Sequence, residues 1–456
     1  MSRAALPMDH EMTTLGHATL VLFEDGHPLI ATDPWLIGSA YWRSWWLEKY
    51  PTDEEIDLVR RARWIYLTHS HPDHFHWPSL RRLGPHATLH PTFPRNPVPA
   101  FLRENGYAPQ ILEPWRWYAL SPHVRIVGIP VPIDDSILVI DTPSTTVVNL
   151  NDSVPRPALL RHLRATLLRP GKPVVVLRSY SPASMGTAVF VNGERVPHKS
   201  KADYAAVARR SCEMLGATHF VPFASQAFYS RTDSRWANEF KVTYEDLAAH
   251  WTPASGELCP PFVSMALATR RHTSSYGDVI RVLDRDRAAV VARRELEEST
   301  FAPPADFAEK LKRYLDGIPF LRLLFRRGIG WRLSTSGMDL FYATRTRTVS
   351  RAIPEDYDFI VTLADKVLYE ALGNDVLTDL GITMLIRVDT RVKPRLAYAA
   401  FLLMGLRDYG YLASRRAFAG FLRFYAPYVW PPLLRRVPAS SPTPLAAREP
   451  ERALQT

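Results

Sequence analysis

The chain has 456 residues, 46% of them hydrophobic and 22% charged, with a formal net charge of +10. That length exceeds one ordinary core, and that composition excludes a disordered chain, so two domains plus tails are expected. Cys212 and Cys259 are the only cysteines, which excludes a disulfide framework and any iron–sulfur site that needs four thiolates.

Met1 to Met12 carries no apolar stretch of the kind a secretory signal needs, so a cytoplasmic location is expected. Thr19 to Phe23 and Pro28 to Thr32 read as short strands on either side of the turn Glu24-Asp-Gly-His27. Asp33-Pro-Trp-Leu-Ile-Gly38 follows, then an aromatic cluster of Tyr41, Trp42, Trp45 and Trp46. Thr52 opens a helix through a capping box with Glu55, and Ile56, Leu58 and Val59 give it an apolar face. That helix ends near Arg63, and Trp64 to Leu67 is a buried strand. A short helix runs from Pro78 or Ser79 to Leu83, stopped by Gly84.

Further strands are predicted over 124–129, 136–140, 145–150, 174–177 and 219–222, with a long helix from Lys201 to Leu215 between the last two. Strands with helices between them predict an α/β sandwich. Beyond residue 265 the texture changes to Arg-rich helices over 307–315, 357–371 and 395–409, with a strand near 382–388. The apolar run Ala399 to Leu406 falls far short of the roughly 20 residues of a membrane-spanning helix, so no membrane span is expected. One domain is expected over 1–265, a second α+β domain over 266–436, and a Pro-, Ser- and Ala-rich disordered tail over 437–456.

The chemistry concentrates in His69-Ser70-His71-Pro72-Asp73-His74, directly after the strand 64–67. Side chains alternate along an extended segment, so His69 and His71 project the same way and can grip one metal. Asp73 and His74 lie on the turn beyond, in reach of a second ion. Imidazoles and a carboxylate suit zinc, iron or manganese. Asp152 is either a further ligand at a strand end or the cap of the following turn. Asp33 either holds a ligand histidine or simply forms a turn with Pro34. His76 is expected to be exposed and His17 packed behind the site, while Trp35, Trp42, Trp45 and Trp46 either wall a pocket or fill the core.

This pattern resembles the metal motif of metallo-β-lactamase-fold proteins. Gly16-His-Ala-Thr19, Asp33-Pro-Trp-Leu-Ile-Gly38, Trp45-Trp46-Leu47 and Ile65-Tyr-Leu-Thr-His-Ser-His-Pro-Asp-His74 together look like the catalytic domain of the CMP-N-acetylneuraminate hydroxylases. Val221-Pro-Phe-Ala-Ser225 is similar as well, and the resemblance runs from about Met12 to Phe262. It implies a metallo-β-lactamase αββα sandwich followed by a smaller α+β C-terminal domain. It also implies two metal ions, with iron favoured over zinc or manganese, and Asp152 in the fold's bridging position. The hydroxylases carry a Rieske domain ahead of this region, which is expected to be missing here. The third ligand histidine that the fold usually supplies has no counterpart in Gly128-Ile-Pro-Val-Pro-Ile-Asp-Asp-Ser136, and Arg231 stands near the place of the fold's last one. Asp134 or His219 is expected to fill a vacancy.

The preferred reading is a non-haem iron oxygenase of an anionic small molecule, with electrons from a separate ferredoxin or Rieske-type donor. The net positive charge suits both an anionic substrate and an acidic partner. A zinc or manganese hydrolase of phosphoesters, lactones or amides is the alternative, with metal-bound water as nucleophile. A binding protein with a depleted site is the third reading. Nucleic acid is not an expected partner, because no basic run interleaved with aromatics marks a binding module.

Overall fold

A computed structural model describes residues 9–183, 188–196, 199–430 and 442–445. Two eight-stranded sheets lie face to face. The first carries, from its middle outward, His27–Thr32, Trp64–Tyr66, Ala87–Pro91 and Ala108–Leu112 as parallel neighbours. The second carries Asp135–Asp141 beside Thr146–Asn151, then Val174–Arg178 and His219–Pro222 in parallel. Leu20, Ile30, Trp64, Tyr66, Ile126, Leu138, Val147 and Val175 fill the space between the sheets.

Helices cover both outer faces. Asp53–Arg61, whose capping box of Thr52 and Glu55 forms as expected, and Trp77–Leu83 bury Ile56, Val59, Leu80 and Leu83 against the first sheet. Pro157–Leu167 and Lys201–Leu215 bury Leu159, Leu163, Ala208 and Cys212 against the second. This is the αββα sandwich. Its central strands read as apolar runs without alternation because they are buried on both faces.

A seven-stranded sheet occupies the C-terminal half, with Phe359–Leu363 and Gly328–Leu333 parallel at its centre. Val189–Val191 pairs with Arg387–Thr390 and Glu194–Arg195 pairs with Val189–Val191 at the edge, so a segment before residue 265 contributes strands to it. In the opposite sense, His272–Ser274 extends the first sheet from beyond that residue. The helix expected over 357–371 is instead the strand Phe359–Leu363 followed by the helix Asp365–Asn374. Its run of Phe, Ile, Val, Thr and Leu favours an extended chain. The strand expected over 382–388 lies at Arg387–Thr390, after a helical turn at Leu380–Thr383. Thr443–Pro444 pairs with Tyr118–Ala119, and residues 437–441 and 446–456 of the expected tail lie outside the described residues. No helix among the described residues is long and apolar enough to cross a membrane.

Candidate metal centre

The strands His27–Thr32 and Trp64–Tyr66 run in parallel, so both chains leave the sheet at the same end. Asp33 and Thr68 therefore meet just beyond it. Asp33 accepts from the Thr68 backbone N–H at 2.8 Å and from its hydroxyl at 2.6 Å. The other Asp33 contact is His74 Nδ1, at 2.9 Å from Oδ2. The Thr68 hydroxyl spends its proton on Asp33, so its oxygen accepts from His69 Nδ1 at 3.0 Å. Both rings are thereby held with Nε2 turned inward, as second-shell partners hold metal-ligating histidines.

His69 Nε2 faces His71 Nδ1 at 2.9 Å. Asp152, at the end of the strand Thr146–Asn151, places Oδ2 3.9 Å from His69 Nε2 and Oδ1 3.6 Å from His74 Nε2. Gly16 carries the chain round a left-handed turn at φ +56°, where a Cβ would stand 2.6 Å from the Trp35 carbonyl oxygen. That turn delivers His17, whose Nε2 lies 3.2 Å from Asp73 Oδ2. Two donor clusters result, His69 with His71 and Asp152, and His17 with Asp73 and His74; within each, the donor atoms lie within 4.8 Å of one another.

The residues fit metal ions. His74 Nε2, His17 Nδ1 and Asp152 Oδ1 are buried without a hydrogen-bond partner among the described residues, an expensive arrangement unless a cation satisfies such atoms. Burial pushes His74 down, but Asp152, Asp73 and Asp33 outweigh it and raise the ring to about 10. Burial, with His74 and His71 beside it, holds His69 well below the usual imidazole range. Burial acts to raise Asp73, but His74 and His17 hold it well below the usual carboxylate range. The centre is thus a pocket of excess negative charge that draws a proton onto His74 and would accept cations in its place.

The expected residues are not all brought together. Asp33, His69, His71, Asp73, His74 and Asp152 converge, and His17 joins a donor cluster rather than sitting behind it. Asp134 does not: Tyr411 donates to both of its carboxylate oxygens, at 2.6 and 2.7 Å, and Tyr425 donates to Oδ1. Ile133 and Asp134 both take positive φ, and the next residue, Asp135, stands behind the His69 ring, with Oδ1 3.4 Å from Nδ1. Burial and the neighbouring Asp152 push Asp135 well above the usual carboxylate range. His219 opens its strand, at the end opposite the centre, and faces Glu257. Arg231 is buried in an ion pair with Asp233 and Glu298. Trp35 is fully buried behind His17, its indole N–H spent on the Ile37 carbonyl, so it belongs to the core. His76 is buried rather than exposed and caps the helix Trp77–Leu83 by accepting from the Ser79 N–H.

Several groups at the centre were not expected. Tyr41 donates to Asp73 Oδ1 at 2.6 Å. From the C-terminal half, the Tyr409 hydroxyl lies 3.3 Å, and Asp379 Oδ1 4.0 Å, from His71 Nε2. They border a cavity of about 760 Å³ that opens beside His71. Phe75, Val98 and Phe101 give it an apolar wall, and Arg95 stands there against Asp375, Asp379 and Asp408. The cavity's own charge therefore does not supply the basic field read from the net charge.

Residues 11–138 match the family described as Beta-lactamase superfamily domain, and the chain carries a metallo-β-lactamase-fold domain. Over 74 residues, 16% of the chain, it is 39% identical to a cytidine monophosphate-N-acetylneuraminic acid hydroxylase of Xenopus laevis. The corresponding enzyme of Mus musculus is 38% identical over 74 residues. These stretches span 12% and 13% of the two relatives' lengths. Among solved structures, CmlA, a diiron beta-hydroxylase from Streptomyces venezuelae, aligns with a TM-score of 0.40 at 17% identity, over 59% of this chain and 55% of that one.

Proposed function

We propose that the chain is a binuclear non-haem iron oxygenase acting on a small molecule held in the cavity beside His71. The observation that carries this reading is the donor set. Each cluster offers two imidazoles and one carboxylate, and Asp152 faces both clusters. Two histidines and one carboxylate with open positions suit ferrous iron that handles dioxygen. The stretch shared with the sialic acid hydroxylases supports it as well.

Iron, when bound, would supply the change of oxidation state that dioxygen reduction requires. The rest falls to the chain's own residues. Asp33 and Thr68 fix the His69 and His74 rings, and Tyr41 holds Asp73 in place. Tyr409 and Asp379 border the outward nitrogen of His71. Burial pushes Asp379 up to about 6, against the pull of His71 and with Asp73 adding to it, and its carboxyl borders the cavity. Hydroxylation consumes one dioxygen, two electrons and two protons and yields the hydroxylated product and one water; a ferredoxin or Rieske-type protein is the electron source.

Apo-protein reloaded with iron or with zinc, and assayed with nucleotide-sugar, phosphodiester and lactone panels, tests this. Oxygen uptake by the iron form alone, dependent on an added reductase and ferredoxin, is expected. Turnover by the zinc form under argon would contradict it and establish the hydrolase.

A further inference from the structure

Away from the metal centre, the edges of the two sheets meet at another set of donors. Glu257 opens the edge strand Glu257–Leu258 of the second sheet, Cys259 follows it, and His272 opens the edge strand His272–Ser274 of the first. A Glu257 carboxylate oxygen, Cys259 Sγ and a His272 ring nitrogen all lie within 4.8 Å of one another. Cys259 is fully buried and His272 is mostly covered. His219, in register with Glu257 on the parallel neighbouring strand, places Nε2 3.3 Å from Glu257 Oε2, and His272 Nε2 lies 3.9 Å from Oε1.

Both rings are oriented from behind. His219 Nδ1 meets the Thr218 hydroxyl at 3.0 Å, and that hydroxyl donates to the Val174 carbonyl, so it accepts the Nδ1 proton. His272 Nδ1 meets the Arg270 carbonyl at 3.3 Å, a group that only accepts. In these tautomers both Nε2 atoms are bare and confront a carboxylate with no proton between them. A cation satisfies the imidazoles, the carboxylate and the buried sulfur together.

We propose that Glu257, Cys259 and His272 bind a zinc-class divalent cation, with His219 Nε2, 3.3 Å from Glu257 Oε2, as a further donor, and that the ion clips the edge strands of the two sheets together. A mixed thiolate, imidazole and carboxylate set suits zinc. The donors must close to about 3.5 Å apart for each to stand about 2.0–2.3 Å from one ion, a small movement for edge strands this short. The Cys259 proton passes to solvent as the thiolate binds, so each ion taken up here releases a proton.

Cobalt titration followed by absorption tests this, because the other metal centre has only nitrogen and oxygen donors. A thiolate-to-cobalt charge-transfer band in the near ultraviolet is expected in the wild-type protein. It persists in Cys212→Ser and in the double variant His69→Ala with His71→Ala, and it is lost in Cys259→Ser. Replacing His219 with Ala removes one imidazole donor and weakens cobalt uptake at this site at least about 10-fold. Absence of the band in wild-type protein at saturating cobalt overturns the proposal, and this result needs no variant to fold. So does a band that survives in Cys259→Ser.

Discussion

On the sandwich side of His71, the imidazoles of His17, His69 and His74 and the carboxylates of Asp73 and Asp152 crowd into one buried space, each delivered by a turn at a strand end. On the C-terminal side, among the described residues, the same ring meets Asp379, on a helical turn, and Tyr409, at the end of the helix Pro394–Asp408. The sandwich side concentrates lone pairs and negative charge that only cations can satisfy. The C-terminal side offers single groups that shape the cavity. Holding ions and managing substrate therefore fall to different parts of the chain, and variants should separate the two tasks.

The largest effect is expected on the sandwich side. Replacing His69 and His71 together with Ala should strip metal from their cluster and abolish turnover, while circular dichroism shows the sandwich still folded. Unchanged metal content in elemental analysis would break the comparison at its root. Next comes Asp33→Ala, which frees His74 to rotate and should lower metal affinity about 10–100-fold. It also strands the buried Thr68 N–H, at a cost of about 1–3 kcal/mol in denaturant unfolding. Equal affinity in Asp33→Ala and wild type would mean the His74 ring needs no support.

On the other side, Asp379→Asn and Tyr409→Phe should keep the full metal complement and lose rate, about 10–100-fold as for partners of a metal-bound imidazole. Loss of metal in either would place these residues with the sandwich ligands and erase the division. The smallest effect concerns Asp408, which lines the same cavity and holds the Thr378 N–H. Burial pushes it up to about 7 from an ordinary value of 3.8, against the pull of Tyr314, the Thr378 N–H and Arg407. A carboxyl raised in this way lends stability that is full below about 3.8 and fades as pH rises through about 7. Asp408→Asn should flatten that part of the melting-temperature profile, and an identical slope in both proteins would assign it elsewhere.

What could be read from the chain alone follows the same division. The spacing of His69, His71, Asp73 and His74 is local, and a buried strand aims it, so short-range geometry sufficed. Asp33 and Asp152 were legible as strand-end carboxylates, though only the parallel pairing of His27–Thr32 with Trp64–Tyr66 shows why Asp33 meets His74. Asp134 was expected to fill a vacancy at the centre, but Tyr411 and Tyr425, from distant segments of the chain, hold its carboxylate instead. Asp379 and Tyr409 carried no signal, since packing between distant segments brings them to His71. His219 looked like a spare ligand for the centre, yet its place at the start of its strand sends it to the opposite end of the sandwich. The central strand Phe359–Leu363 was taken for helix because a strand buried on both faces shows no alternation to betray it.

The central claim is that Asp152 stands between two ion-binding clusters, and the number of metal ions per chain tests it most directly. Protein isolated without oxygen, and the variant Asp152→Ala prepared alongside it, should be measured by elemental analysis against quantitative protein determination. Two ions per chain in the wild type and at least one fewer in Asp152→Ala are predicted, because a carboxylate removed from a shared position unbalances both ions. Two ions retained in Asp152→Ala, with activity intact, would show that Asp152 only caps its turn and would contradict the account.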